Sequence, residues 1–407
     1  MKKLLLLAAL LLHIFCSFGQ KVIKGQVIDK QTQEGIRNAT VFIDNTQLGT
    51  TTNRTGKFSL PVSQNINSVI VISCVGYKTI SIEMPQSDSS LLIPLEKIIE
   101  ELDGVTIVGK RSKPVLGKKW QNIFLTYFLG NNQPAADCDI TNLNKISFFL
   151  SDDENRLRAH SNEIILIVNK WLGYKIYYEI IEFEINLTEN TVVNYGYSKF
   201  EDISNGDEKF LHRRENKYCG SLSHFLRSLY VNNHAQNGFE IKRATIEINS
   251  ENERVRTLAK QNGYQLNFTF ETLGNKRTPL DSSKYYYKVY IANKKYSVVT
   301  QHALLAPDNL FITDLEIFKE LYFKDYLLVN YKHGNYEQSI NNSMASLAFD
   351  NKYQSAMLKL KDDNSVLLYP NGRFDPPKSL IIAGAWANSN AIANMLPLDF
   401  TCACRGE

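Results

Sequence analysis

The sequence predicts a mostly β protein with α+β character, in which a small N-terminal β-sandwich precedes a larger antiparallel α+β region. Three observations carry that prediction. Between residues 20 and 97, short apolar runs rich in β-branched residues recur between turn residues, with no helical period. Beyond residue 114 the pattern changes: Lys118–Leu129 and Leu222–Tyr230 place apolar residues at helical spacing. Between them lies Tyr174–Leu187, a long alternating run followed by a second run at Thr191–Tyr197, the pattern of a hairpin.

The chain opens with Met1-Lys2-Lys3, an apolar run from Leu4 to Phe15, and Ser17-Phe18-Gly19. This is the three-part pattern of a secretory signal over residues 1–19, with cleavage after Gly19, so export is expected. An apolar run of about 12 residues is too short for a membrane span, which needs roughly 20. Bulky Phe15 ahead of Cys16 disfavours a lipidated cysteine. The 46 Lys and Arg against 42 Asp and Glu give a net charge of +4, and a chain so nearly neutral is not expected to bind nucleic acid. Cys74, Cys138, Cys219, Cys402 and Cys404 remain after Cys16 is lost, too few for a disulfide scaffold. Cys402-Ala403-Cys404 is too closely spaced for easy mutual pairing. Cys138 and Cys219 are the partners within reach, and the sequence leaves the choice open.

Within residues 20–97 the expected strands are Val22–Ile28, Ala39–Ile43, Leu48–Thr52, Lys57–Val62, Ser68–Cys74, Tyr77–Met84 and Leu91–Leu95. Asn53-Arg54-Thr55-Gly56 closes a hairpin, with Gly56 placed for a positive φ. Gly25-x-Val27-x-Asp29, Gly35-Ile36-x-Asn38-Ala39-Thr40-Val41, Gly49-Thr50-x-Thr52-Asn53-x-x-Gly56-x-Phe58-Ser59-Leu60 and Val75-Gly76-Tyr77-Lys78-Thr79 together resemble the carboxypeptidase-regulatory-like domain of Bacteroidetes envelope proteins. That resemblance implies a transthyretin-like sandwich of seven strands. The domain it resembles is a non-catalytic appendage, so no peptidase activity comes with it.

Residues 98–113 read as a linker. Within it, Gly104-Val105-Thr106-Ile107-Val108-Gly109-Lys110-Arg111 resembles the short β-forming stretch that follows this domain in TonB-dependent receptors. The 294 residues after position 113 are too few for a plug and a barrel of about 22 strands, so a receptor is excluded. An edge strand or exposed connector is the plainer reading of Val105–Val108.

Residues 114–407 read as one α+β region of up to two subdomains. Trp120, Ile123, Phe124, Tyr127 and Phe128 form a helical core stripe that Gly130 stops. Strands are expected at Ile146–Leu150, Arg156–Ala159 and Ile164–Val168. The alternation of Tyr174–Leu187 changes phase between Ile180 and Ile181, the mark of a bulge. Ser221 is placed to cap a helix whose buried stripe is Leu222, Phe225, Leu226, Leu229 and Tyr230, with His224, Arg227 and Ser228 facing away. Further strands are expected at Phe239–Ile248, Gln265–Thr272, Tyr285–Ile291, Tyr326–Tyr331, Ser365–Tyr369 and Leu380–Ala383. Trp120-x-x-Ile123-Phe124, Asn169-Lys170-x-Leu172-Gly173-Tyr174, Gly220-Ser221-Leu222-x-His224-Phe225 and Met395-Leu396-Pro397-Leu398-Asp399 resemble a Bacteroidetes family that joins the regulatory-like sandwich to such a region. No catalytic residue comes with that resemblance.

Few residues invite a chemical reading. His160-Ser161-Asn162-Glu163 has the spacing of two zinc ligands but lacks a third, and a polar turn between strands explains it better. Cys219 with His224 is a conceivable nucleophile and base, yet no orienting acid is evident. No phosphate loop or serine elbow is present. No catalytic residue, cofactor or metal site is therefore assigned. The candidate partner surface is Arg213, Arg214, Lys217, His224 and Arg227, which cluster around one helix and suit an anionic partner; a solvated helix face is the plainer account. The favoured function is a non-catalytic accessory or binding protein of the cell envelope, in the periplasm or associated with the outer membrane. Its partner would be an envelope protein or glycan, with the sandwich as docking module. The competing readings are an envelope hydrolase with its site in 114–407, and an adaptor for TonB-dependent receptors.

Overall fold

A computed structural model of the chain describes residues 21–62, 68–85, 90–98, 112–188, 191–261, 289, 297–306, 310–315, 317–333, 353–387 and 391–404. The signal segment, Val105–Val108, the strand expected at Gln265–Thr272 and all but Val289 of the one expected at Tyr285–Ile291 lie outside them. The chain divides into two compact units. The first comprises Met1–Tyr218, Tyr369–Arg373 and Asn390–Ala403; the second comprises Cys219–Leu368, Phe374–Ser389 and Cys404–Glu407. No helix among the described residues is long and apolar enough to cross a membrane.

The first unit begins with the expected sandwich. Its strands are β1 (Lys21–Asp29), β2 (Thr40–Ile43), β3 (Gly49–Thr51), β4 (Lys57–Val62), β5 (Val69–Ser73), β6 (Ile80–Glu83) and β7 (Leu91–Leu95). One sheet has the order β4-β1-β7 and the other β3-β2-β5-β6. All pairs are antiparallel except β1 with β7. Alternation makes the core: Phe58, Leu60 and Val62 of β4 turn inward beside Val41, Ile43, Ile70 and Ile72, all buried. Gly56 adopts φ 76, with Val27 O only 2.2 Å from where a Cβ would sit, so no larger residue fits this turn.

The same unit continues into a seven-stranded sheet with α1 (Lys118–Phe128) packed on it. Its strands are β8 (Ser112–Val115), β9 (Cys138–Ile140), β10 (Ser147–Ser151), β11 (Arg156–His160), β12 (Ile165–Asn169), β13 (Tyr174–Asn186) and β14 (Thr191–Asp202), with a short α2 (Gln133–Ala136) before β9. β13 organises the sheet. β14 pairs along its whole length, and β12 and β11 share the opposite edge, at Tyr174–Tyr178 and Glu184–Asn186 respectively. The register slips between Ile180 and Glu182, where the change of phase predicts a bulge. Gly196, opposite Ile180, sits 2.1 Å (as a virtual Cβ) from Glu179 O, so the bulge leaves no room for a side chain there. The helical stripe of α1 is core as expected. Phe124 and Phe128 are fully buried and lie 4.9 and 5.9 Å, centroid to centroid, from Phe183; Phe128 also meets Tyr178 at 5.4 Å.

α3 (Glu208–Tyr218) ends the first unit's main run, and the second unit opens with α4 (Leu222–Tyr230). Ser221 caps α4 by accepting the His224 N–H, and the stripe Leu222, Phe225, Leu226, Leu229 and Tyr230 is buried. His224 and Ser228, expected on the outer face, are buried too, at 4% and 3% exposure. β15 (Phe239–Ile248), α5 (Ser250–Gln261), β16 (Ser297–Leu304), β17 (Phe311–Asp314), β18 (Lys319–Leu321), β19 (Tyr326–Tyr331), β20 (Gln354–Leu360), β21 (Val366–Leu368), β22 (Phe374–Asp375) and β23 (Leu380–Gly384) follow. They form antiparallel sheets of order β16-β15-β19-β20-β23 and β17-β18-β21-β22. Phe225, Phe239, Tyr331 and Trp386 form an aromatic box, with Phe225 5.2 Å from Trp386 and 5.3 Å from Phe239.

Because Phe128 packs on Tyr178 and Phe183 of β13 and has no solvent access, Phe128→Ala is expected to destabilise the protein by about 3–5 kcal/mol. Urea denaturation followed by tryptophan fluorescence measures this as a lowered midpoint.

Candidate functional site

The residues expected to form a basic surface are divided between the units: Arg213, Arg214 and Lys217 lie on α3, and His224 and Arg227 on α4. Arg214 is not on a surface. It is 6% exposed; its Nη1 and Nη2 donate to the two Asp202 oxygens at 2.8 and 2.9 Å, its Nε to Leu172 O at 2.8 Å and Nη2 to Gly173 O at 2.9 Å. The guanidinium also stacks 3.8 Å above the Tyr174 ring. These bonds hold the Asp202 carboxyl well below the usual carboxylate range. Arg213 lies on Trp171, 4.1 Å from its centroid, and donates to Trp171 O. α3 is too polar to dock by apolar contact alone, and these two arginines fasten it to the turn between β12 and β13. Arg214 and His224 are therefore withdrawn from the candidate surface. The His160 ring meets Asn162 Oδ1 at 2.8 Å, while Glu163 pairs with Lys145 at 2.6 Å, so the two do not converge on a common point.

Two arrangements that the sequence does not reveal have functional geometry. The first is at β14. The sandwich turn after β2 adds itself to the outer edge of this strand: Asn45 N–H donates to Ser198 O at 2.7 Å, Phe200 N–H to Thr46 O at 2.8 Å, and Ser198 N–H to Asp44 Oδ1 at 2.8 Å. Leu398 N–H donates to Asn45 O at 2.6 Å, and Tyr197 Oη to Ser81 Oγ at 2.8 Å. Burial here pushes the Asp44 carboxyl up to about 7, and burial also raises Glu179, which shares the Ser73 and Thr79 hydroxyls. Beyond the junction, among the described residues, no strand pairs with β14 at Thr191–Tyr197 except β13. Val192 and Val193 there are 37% and 39% exposed, and Ile181 beside them 45%.

The second arrangement lies in the second unit. Cys219 is bridged to Cys404, settling the choice among the cysteines, and the chain between them spans that unit. His224 Nδ1 is 3.8 Å from Cys404 Sγ, and its Nε2 is 3.0 Å from Asn237 Oδ1. Asn237 thus occupies the orienting position that a search for an acid misses. The thiols of Cys74 and Cys138 are raised by burial, Cys138 to about 12.

Residues 23–107 match the family model of the CarboxypepD_reg-like domain. The sandwich is a carboxypeptidase-regulatory-like domain. The match ends at residue 107, and the family resemblance of residues 114–407 lies outside it. None of the curated proteins matches the chain. Among solved structures, one from Bacteroides fragilis, described as membrane-associated and of unknown function, aligns at 8% identity over 87% of this chain and 98% of its own. Its TM-score is 0.15, a superposition that bears on neither fold nor function.

The Asp44 carboxyl rises from an ordinary 3.8 to about 7 on folding, so folding favours its protonated form. That contribution is fully present below about pH 4, is lost as pH climbs toward 7, and is absent above it. Asp44→Asn, which keeps the acceptor for Ser198 N–H, should therefore exceed the wild type in stability by about 2–4 kcal/mol at pH 8. The two should converge near pH 4 in denaturation curves recorded across that range.

Proposed function

We propose that this is an exported binding protein of the cell envelope with no reaction of its own. The regulatory-like sandwich acts as its docking module and fixes one edge of the seven-stranded sheet, which recognises an extended segment of an envelope protein. One observation carries the reading: β14 already exchanges main-chain bonds with the sandwich at Ser198 and Phe200, and among the described residues no strand but β13 pairs with it over Thr191–Tyr197, where its valines are exposed. An edge of this kind is a template for strand addition. The family match supports a non-catalytic module at residues 23–107. The Cys219–Cys404 bridge supports export, since disulfides persist in oxidising compartments. The periplasm or the outer-membrane surface is the proposed location.

Strand geometry supplies the test. Ser198 O and Phe200 N–H face the sandwich, so the even-numbered residues of β14, including Val192, direct their main-chain groups to the edge away from β13. Val192→Pro removes one outward N–H and leaves the bonds to β13 in place. A photo-crosslinker at Val193, exposed to an envelope extract of the source cells, is expected to capture a discrete protein partner in the wild-type background. The Val192→Pro background should lose that capture at an unchanged melting temperature. Equal capture by both, or turnover of peptide or glycan substrates by the purified protein, would refute the reading.

A further inference from the structure

His224 and the disulfide beside it play no part in partner recognition at β14. Asn237 Nδ2 donates to Asn233 O at 3.0 Å, which turns its Oδ1 toward His224 Nε2. An amide oxygen only accepts, so Nε2 carries the ring proton and Nδ1 presents its lone pair. That lone pair receives Gly220 N–H at 3.1 Å and faces Cys404 Sγ at 3.8 Å. Trp386 Nε1 donates to Gly220 O at 2.8 Å and holds the peptide in place. The ring lies 4.9 Å from Phe239 and 6.0 Å from Tyr331. Burial, and then the charge of Arg227, push His224 below its ordinary 6.5, while the bond to Asn237 opposes them. Cys404 and Tyr331 lie against the ring, and Arg227 acts on it through its charge. Both cysteines are half-buried rather than sealed in the core.

We propose that Cys219 and Cys404 form a thiol–disulfide exchange centre in which His224 is the proton acceptor of Cys404. A nucleophilic sulfur, a base within reach and an amide that fixes the base are the parts such chemistry requires. In the reduced chain His224 Nδ1 releases the Gly220 N–H it accepts and takes the Cys404 proton in its place, and the Asn237 oxygen steadies the imidazolium through Nε2–H. The Cys404 thiolate attacks a partner disulfide, RSSR; a Cys404–SR bond forms, and the departing RS⁻ takes the proton from His224. Cys219 then attacks Cys404 Sγ, the observed bridge closes, and the second RS⁻ leaves with the Cys219 proton. Two electrons pass from the cysteine pair to the partner disulfide, giving two thiols. The partner class is a small or peptide disulfide, represented experimentally by oxidised glutathione.

The test uses the full mature chain carrying Cys402→Ser, so that the neighbouring thiol does not interfere. The chain is reduced with dithiothreitol, freed of it, and alkylated with iodoacetamide from pH 5 to 10, with modification at Cys404 read by peptide mass. The Cys404 midpoint is expected at least one unit below the ordinary cysteine value of about 8.5. His224→Gln should raise it by about one unit and slow reaction with oxidised glutathione about tenfold at pH 7. Asn237→Ala, which leaves the ring in place, should raise the midpoint by a smaller amount. A wild-type midpoint at or above 8.5 overturns the proposal without any variant. So does an unchanged midpoint in folded His224→Gln or Asn237→Ala. Loss of the near-ultraviolet dichroism on reduction assigns the bridge to structure alone and overturns it equally.

Discussion

A strand at the edge of a sheet exposes a row of main-chain donors and acceptors, and much of the first unit is arranged around how β14 meets that constraint. β14 gives one side entirely to β13, which lets the sheet bury Tyr174, Ile176, Tyr178 and Phe183 against α1. Over Ser198–Phe200 its other side is met by the turn Asp44–Thr46. Without that turn, Ser198 and Phe200 would present main-chain groups at a position where both residues are almost wholly buried, 1% exposed each. The sandwich is therefore part of the first unit's hydrogen-bonding economy rather than a bead on a string. The strand addition proposed for a partner would use the same physics as this junction, with the boundary between them near Tyr197.

Burial acts on ionisable groups in a consistent direction through both units. Asp44 and Glu179 at the junction are pushed toward their neutral acids, and His224 toward its neutral base. Arg214 and Asp202 take the other course: the guanidinium has four acceptor contacts, two of them to the carboxylate, so the charge stays and is compensated. The distinction matters for reading function. A neutral buried carboxyl with main-chain and hydroxyl partners is a cohesive element, and it weakens the junction as pH rises. A neutral buried imidazole against sulfur is a proton acceptor.

Local pattern explains what was legible in the sequence. Alternation and turn residues located all seven sandwich strands; the phase change at Ile180–Ile181 located the bulge; Ser221 located the start of α4. Each depends on residues within a few positions of one another. Arg214 and His224 leave the candidate surface because its signal was local while the interactions that bury them are not. Arg214 is committed to carbonyls some 40 residues upstream, and the second histidine partner, Asn237, lies a full helix and turn beyond His224. Asp44, read as a turn residue, meets Ser198 across 154 positions, which no spacing rule anticipates. Cysteine pairing had the same character, since Cys219 and Cys404 are separated by 185 residues.

That separation also bears on why the second unit needs a bridge at all. Closing so long a loop removes about 5 kcal/mol of chain entropy from the unfolded state, and the bond sits where the unit's chain begins and returns. A crosslink serving only that purpose would be best surrounded by apolar side chains, as the aromatic box a few ångströms away shows the fold can provide. Instead a histidine is buried against one sulfur, its tautomer fixed by Gly220 on one side and Asn237 on the other. Burying an imidazole costs solvation that a Leu or Phe at the same position on α4 would not incur. Two hydrogen bonds recover part of that cost, and the one from Gly220, the neighbour of Cys219, turns Nδ1 toward the bridge. That placement brings a base to 3.8 Å from Cys404 Sγ, which a staple does not use and an exchange centre requires.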